Sequence, residues 1–145
     1  MYKRKARILF LSVDNACRSQ IAEAYANQLG KDWLEAKSAG MQPQGVSSAA
    51  IKVMAEESID ISHQQSKILH EDLLEWADLI VTFDTSIDEK CREIPQTVRK
   101  KNWNISNPAI KTGSNFNYEA NIRIVRDEIK NRVLSMLGGM KMMTR

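Results

Sequence analysis

Four consecutive large apolar residues, Ile8 to Leu11, close the run Ala6–Leu11 (ARILFL) and leave it no polar face. A strand of that kind is buried on both sides, which requires a sheet covered by helices on each face rather than one open to water. Asp78–Phe83 (DLIVTF) is a second run of the same type. Between and after them the pattern changes to helical spacing. Ile21, Ala24, Tyr25 and Leu29 share one face of a helix beginning near Cys17, with Gly30 as its C-cap. Trp33–Ser38 reads as a strand ended by Ala39-Gly40, and Ser47 caps a helix that buries Ala50, Val53 and Met54. A short helix follows over Glu71–Trp76. Trp103–Ser106 reads as a weaker fourth strand ending before Asn107-Pro108. A long helix over Tyr118–Leu137 places Ile122, Val125, Ile129, Val133 and Leu137 on one face, and Gly138-Gly139 is expected to stop it. Alternation of this sort predicts an α/β three-layer sandwich, with about four parallel strands and helices on both faces. At 145 residues the chain can bury one good core, so a single domain over 1–145 is expected.

Charge narrows the possible partners. The net charge is +3, with basic clusters at Lys3 to Arg7, Arg99 to Lys101, and Lys141 with Arg145. No aromatic residues interleave with them as a nucleic-acid groove requires, so no nucleic-acid partner is expected. Ile8–Leu11 is too short for a signal or membrane segment, which predicts a cytoplasmic protein with no membrane partner. The two cysteines, Cys17 and Cys91, are too far apart for a paired metal motif and too few for a disulfide framework. Reduced thiols are expected, with no metal and no cofactor.

Ligands of such a sheet bind beyond the carboxyl ends of its strands. The segment there is Ser12-Val13-Asp14-Asn15-Ala16-Cys17-Arg18-Ser19. A short loop from a buried strand into a helix can turn successive N–H groups inward, where the helix dipole adds positive potential. Arg18, at its end, can grip two oxygens of a tetrahedral oxyanion with its planar fork. By themselves a strand, a loop and an arginine fit a first-turn surface arginine and an ordinary turn at Asn15 better.

The stretch "NACRSQIAEAY" resembles the anion loop and first helix of the low-molecular-weight tyrosine phosphatase and arsenate reductase superfamily. Arg18 and Ser19 match that loop's arginine and serine. The resemblance continues through "SAG" at Ser38–Gly40, "DIS" at Asp60–Ser62, "ADLIVTF" ending at Phe83, "NPA" at Asn107–Ala109 and "RDEIKNRV" ending at Val133. Among its branches the chain looks most like thioredoxin-coupled arsenate reductases. The resemblance implies a nucleophilic cysteine six residues before Arg18, where this chain carries Ser12. It implies an aspartate as general acid at the place of Asn107, and a relay pair of cysteines at the places of Asp84 and Cys91. Asp14 stands where many relatives have glycine, and a carboxylate there repels an oxyanion unless it turns away or pairs with a cation.

A serine hydroxyl stays protonated where a thiol would ionise, and asparagine cannot donate a titrating proton. The expected function is therefore an arsenate reductase-like or phosphatase-like protein that keeps its oxyanion loop, Ser12 to Ser19, without catalysis. Cys17 is expected to be a packed residue, and Cys91 is the remaining redox candidate. Phosphate, sulfate or arsenate is the implied ligand, and a phosphoprotein or another protein the implied partner. Two alternatives stand beside this reading. One is an active arsenate reductase or phosphotyrosine phosphatase in which serine has been substituted for the cysteine; the other is a partner-binding module that uses the loop as scaffold.

Overall fold

The computed structural model describes residues 4–84, 98–108 and 117–143. Strand β1 (Ala6–Ser12) leads through the loop into helix α1 (Arg18–Leu29), then β2 (Leu34–Gly40), α2 (Ser48–Ala55) and α3 (Glu71–Trp76). Strands β3 (Leu79–Thr82) and β4 (Arg99–Asn102) and the long helix α4 (Tyr118–Met143) complete the order. The four strands form one sheet in the order β2-β1-β3-β4, and each neighbouring pair is parallel.

The unbroken apolar run of β1 has the predicted consequence. Ile8 and Phe10 enter one core with α1, α2 and α4, whereas Leu9 and Leu11 enter a second core on the opposite face, against Leu73, Leu74 and Trp76 of α3. Each large apolar side chain so buried contributes about 1.5–3 kcal/mol. Helix α1 is buried at every position from Arg18 to Ala26, because the sheet lies on one side of it and α4 on the other. Gly30 follows it for reasons of space: a Cβ there would stand 2.6 Å from the Leu137 side chain. Its φ of −114° needs no glycine.

Two elements differ from expectation. The fourth strand is Arg99–Asn102, not Trp103–Ser106. All four of its residues are exposed, since it forms an edge of the sheet and has no apolar pattern to announce it. Trp103 and Ile105 are buried as their character demands, but just beyond the ladder, where Trp103 packs on Phe10 and Phe83. Helix α4 also runs through Gly138-Gly139 to Met143. Glycine weakens a helix by only about 1 kcal/mol, and the face that includes Ile129 and Val133 already anchors this one. Among the described residues, no helix is long and apolar enough to cross a membrane.

The strand order places β2 on one side of β1 and β3 on the other. The chain therefore reverses its winding direction beside β1, and the crevice at the carboxyl ends of β1 and β3 is the ligand position of open parallel sheets. Ser12–Ser19 and Asp84 both lie there.

Candidate functional site

Ser12 ends β1 fully buried, with its Oγ 2.7 Å from Ser19 Oγ and accepting the Asn15 N–H at 3.1 Å. Asn15 turns the loop at φ 47°, a left-handed conformation that asparagine tolerates better than other side-chain-bearing residues. Its amide is fixed on both sides: Nδ2 donates to Ser19 Oγ at 2.8 Å, and Oδ1 accepts from Lys67 N at 2.8 Å and Gln20 Nε2 at 3.1 Å. Ser66 Oγ donates to the Asn15 carbonyl at 3.1 Å. From the α2 side, the Ser47 N–H donates to the Ala16 carbonyl at 2.9 Å, while Ser47 Oγ caps α2 by accepting from Ala50 N. Gly40, beside Ser12 at the end of β2, must be small, because a Cβ would stand 2.9 Å from Asn15 Cβ, Asn15 N and Val13 O. The loop is held in shape from three directions before any ligand is considered.

Arg18 is only 2% exposed, yet it is fully engaged. Nη1 donates to the Ile105 carbonyl at 3.0 Å and to the Phe83 carbonyl at 3.4 Å, and the guanidinium lies 5.8 Å over the Phe83 ring. Its remaining partner is Asp84, which follows β3. Nη1 lies 2.9 Å from Asp84 Oδ1 and Nη2 donates to Oδ2 at 3.0 Å, the two-point grip of an arginine on a carboxylate. The Val13 N–H also donates to Asp84 Oδ2 at 3.0 Å. Three side-chain oxygens thus take up loop amides: Asp84 at Val13, Ser12 at Asn15, and Asp14 Oδ1 at Ala16, 3.2 Å away.

Among the described residues Asp14 pairs with no cation; its carboxylate bends back onto its own loop in an Asx-type turn. Its charge nevertheless reaches Cys17, the N-cap residue of α1, which makes no side-chain cap bond. Burial first, and Asp14 second, push the Cys17 thiol from its ordinary value of 9.0 up to about 12, against the opposing pull of Arg18. Cys17 is 4% exposed and packs in the core, as expected of it.

The structure brings Ser12, Asn15 and Ser19 together in one hydrogen-bonded cluster, and the Arg18 guanidinium is joined to the same loop through Asp84, which also accepts the Val13 N–H. Asn107 is half-buried two residues beyond Ile105, whose carbonyl Arg18 holds, so the segment that carries it is tied to the site. Cys91 lies outside the described residues. The residue that sequence reading missed in this role is Asp84. It stood out as the place of an absent relay cysteine, while its pairing with Arg18, 66 residues away, follows from the β1–β3 neighbourhood and has no local signal. Cavities of about 550 and 780 Å³ lie elsewhere, one along α1 by Asn27 and His63, the other between β4 and the end of α4. Among the described residues no group of three or more His, Cys, Asp or Glu side chains is placed to hold a metal ion.

The comparisons with known proteins agree with this fold. The family model for low molecular weight phosphotyrosine protein phosphatase matches residues 7–143. The arsenate reductase of Bacillus subtilis (strain 168) is 42% identical over 127 residues, which cover 87% of this chain and 91% of the relative. That of Bacillus cereus is also 42% identical, over 132 residues covering 90% and 93%. Among solved structures, an arsenate reductase in the phosphate binding state gives a TM-score of 0.73 at 26% identity, covering 93% of this chain and 98% of the other. The low molecular weight protein tyrosine phosphatase from T. tengcongensis gives 0.74 at 27% identity, covering 93% and 99%. The chain therefore belongs to the low molecular weight phosphotyrosine protein phosphatase family, and within it is arsenate reductase-like.

Proposed function

We propose that Ser12–Ser19 is an oxyanion-binding site for phosphate, arsenate or sulfate, and that the chain as it stands does not turn such an ion over. The observation that carries the reading is that loop groups already hold an oxyanion group: the Val13 amide and the Arg18 fork both donate to one carboxylate, that of Asp84. Donors that grip a carboxylate suit a tetrahedral oxyanion equally. An arsenate reductase of similar structure is described in a phosphate binding state, which supports the same ligand class here.

Four features argue against turnover. Ser12 replaces the thiol, and among the described residues neither His63 nor His70 reaches its Oγ to act as base; Ser19 and Asn15 hold it instead. Cys17 is no substitute, because a thiol pushed up to about 12 has almost no thiolate at neutral pH. Asn107 cannot serve as a general acid, and Asp84 in place of a cysteine leaves Cys91 without a relay partner. A phosphorylated side chain of a protein partner carries the same oxyanion chemistry and belongs to the same ligand class.

The test is thermal unfolding with added phosphate, arsenate or sulfate, beside an aryl phosphatase assay and a thioredoxin-coupled arsenate assay. Each ion should raise the Tm of the wild type, continuing to rise with the logarithm of its concentration above Kd, Arg18→Ala should lose that response, and neither assay should exceed buffer. Turnover by the wild type that disappears in Arg18→Ala would contradict the reading. Equal stabilisation of both proteins would leave the loop as scaffold for a partner.

The identity to arsenate reductases favours a second reading, in which the scaffold remains competent and lacks only its thiol. Aryl phosphate turnover by Ser12→Cys, made with Cys17 and Cys91 replaced by serine, distinguishes the two, and its thiol reports on the pocket that both require. A thiol that iodoacetamide labels at neutral pH faster than a free cysteine would show that the pocket still activates a nucleophile. An ordinary thiol profile would show that it does not.

A further inference from the structure

We infer that Asp84 is the resting ligand of the loop, and that an oxyanion binds by displacing its carboxylate. The inference rests on the oxyanion reading and adds the mechanism by which the site is kept closed.

The carboxylate is well suited to this place. Oδ2 receives two donors, Val13 N and Arg18 Nη2, both at 3.0 Å, and Oδ1 lies 2.9 Å from Nη1. It thereby uses the fork of Arg18 and the first amide of the loop, the same donors that a tetrahedral ion would need. Asp84 also differs from Arg18 in its surroundings. The arginine is 2% exposed and is fixed behind by the Phe83 and Ile105 carbonyls, whereas the aspartate side chain is 21% exposed. The arginine is anchored without Asp84, and the aspartate side chain, being partly exposed, can withdraw toward solvent. An anion that entered while Asp84 stayed would face a like charge at hydrogen-bonding distance.

The consequence is a two-state site. In the closed state Asp84 satisfies Arg18 and Val13; in the open state an oxyanion does. The apparent affinity for oxyanion is the intrinsic affinity reduced by the fraction of molecules that are open. Asp84→Asn keeps an acceptor for the Val13 N–H but removes the charge that holds Arg18, so it should shift the balance without dismantling the loop. Asp84→Ala removes the competitor altogether.

The experiment is calorimetric titration of inorganic phosphate into the wild type, Asp84→Asn, Asp84→Ala and Arg18→Ala. Both Asp84 variants should bind phosphate at least about tenfold more tightly than the wild type, which corresponds to a closed state favoured by about ten to one. Binding by the Asp84 variants that is equal to or weaker than wild type, with Arg18→Ala still null, would preserve the oxyanion site and overturn the inference; Asp84 would then position Arg18. An absence of binding in all four proteins would remove the oxyanion reading and this inference together. A second measurement needs no variant of Asp84. The carboxyl carbon resonance of Asp84 in the labelled wild type should move as phosphate saturates the site. A resonance that stays fixed while the loop amides shift would also overturn displacement.

Discussion

Strand β3 is flanked by two aspartates, each joined to an arginine and to a backbone amide near β1, and the two ends serve different purposes. At the amino end, Asp78 takes the Arg4 fork at 2.7 and 2.8 Å and the Arg7 N–H at 2.8 Å. At the carboxyl end, Asp84 takes the Arg18 fork and the Val13 N–H. The bond lengths are alike. The side chains of the first pair are 55% and 42% exposed, those of the second 2% and 21%. In water an ion pair competes with solvation and salt and contributes about 0–1 kcal/mol. With one partner buried, breaking the pair leaves an uncompensated charge, and the cost rises to several kcal/mol. The same local chemistry is thus a surface clasp at one end of β3 and a buried ion pair, beside the proposed anion site, at the other, and burial separates the two.

The largest expected effect comes from Arg18→Ala. It leaves the Phe83 and Ile105 carbonyls without this donor and the Asp84 carboxylate without its cation, and should destabilise the fold by roughly 3 kcal/mol in urea titration. A loss below about 1 kcal/mol would place Arg18 in the same class as Arg4 and break the contrast.

Up to about pH 11 the next effect in size is an alkaline one from the same loop. Burial raises the Cys17 thiol from 9.0 to about 12, so between those values the unfolded chain has lost a proton that the folded chain keeps. Stability is then complete below about pH 9 and falls by about 1.4 kcal/mol for each pH unit above it, until the folded thiol also ionises. Tyr25, whose hydroxyl is raised by burial and by Glu57, adds a decline of the same sign. Cys17→Ala should remove the cysteine's part of the slope. A slope that is identical with and without Cys17 would show that the thiol is not buried in solution.

The smallest effect belongs to the clasp. Asp78→Asn should cost no more than about 1 kcal/mol at low ionic strength, and less as salt is added. The bonds from Arg4 and the Arg7 amide hold the Asp78 carboxyl below its ordinary range. Its contribution is accordingly present above the unfolded aspartate value of about 3.9 and is lost as pH falls through the lower, folded value. Acid titration of the wild type and Asp78→Asn by circular dichroism should differ only in that acidic window.

The same contrast marks what could be read from the residues alone. The buried strands β1 and β3 were legible because apolar runs fill both faces, and the Ser47 cap because its mechanism is local. Strand β4 was not, since Arg99-Lys100-Lys101-Asn102 has the composition of a solvated surface and becomes a strand only by adding to the edge of β3. Within the candidate site, the clustering of Ser12, Asn15 and Ser19 at the start of α1 was legible from the loop and its resemblance. The role of Asp84 was not, because a residue beyond one strand meets an arginine beyond another only through parallel pairing. Asp14 shows the reverse: its repulsion was foreseeable from its charge, while its turn back onto Ala16 depended on the loop geometry.

The most direct test of the central claim is amide NMR of the wild type during titration with phosphate. The oxyanion account predicts saturable shifts concentrated at Val13 to Ser19, with the same protein carrying Arg18→Ala showing none. Shifts confined to the basic edge at Arg99 to Lys101, with the loop amides unmoved, would contradict it.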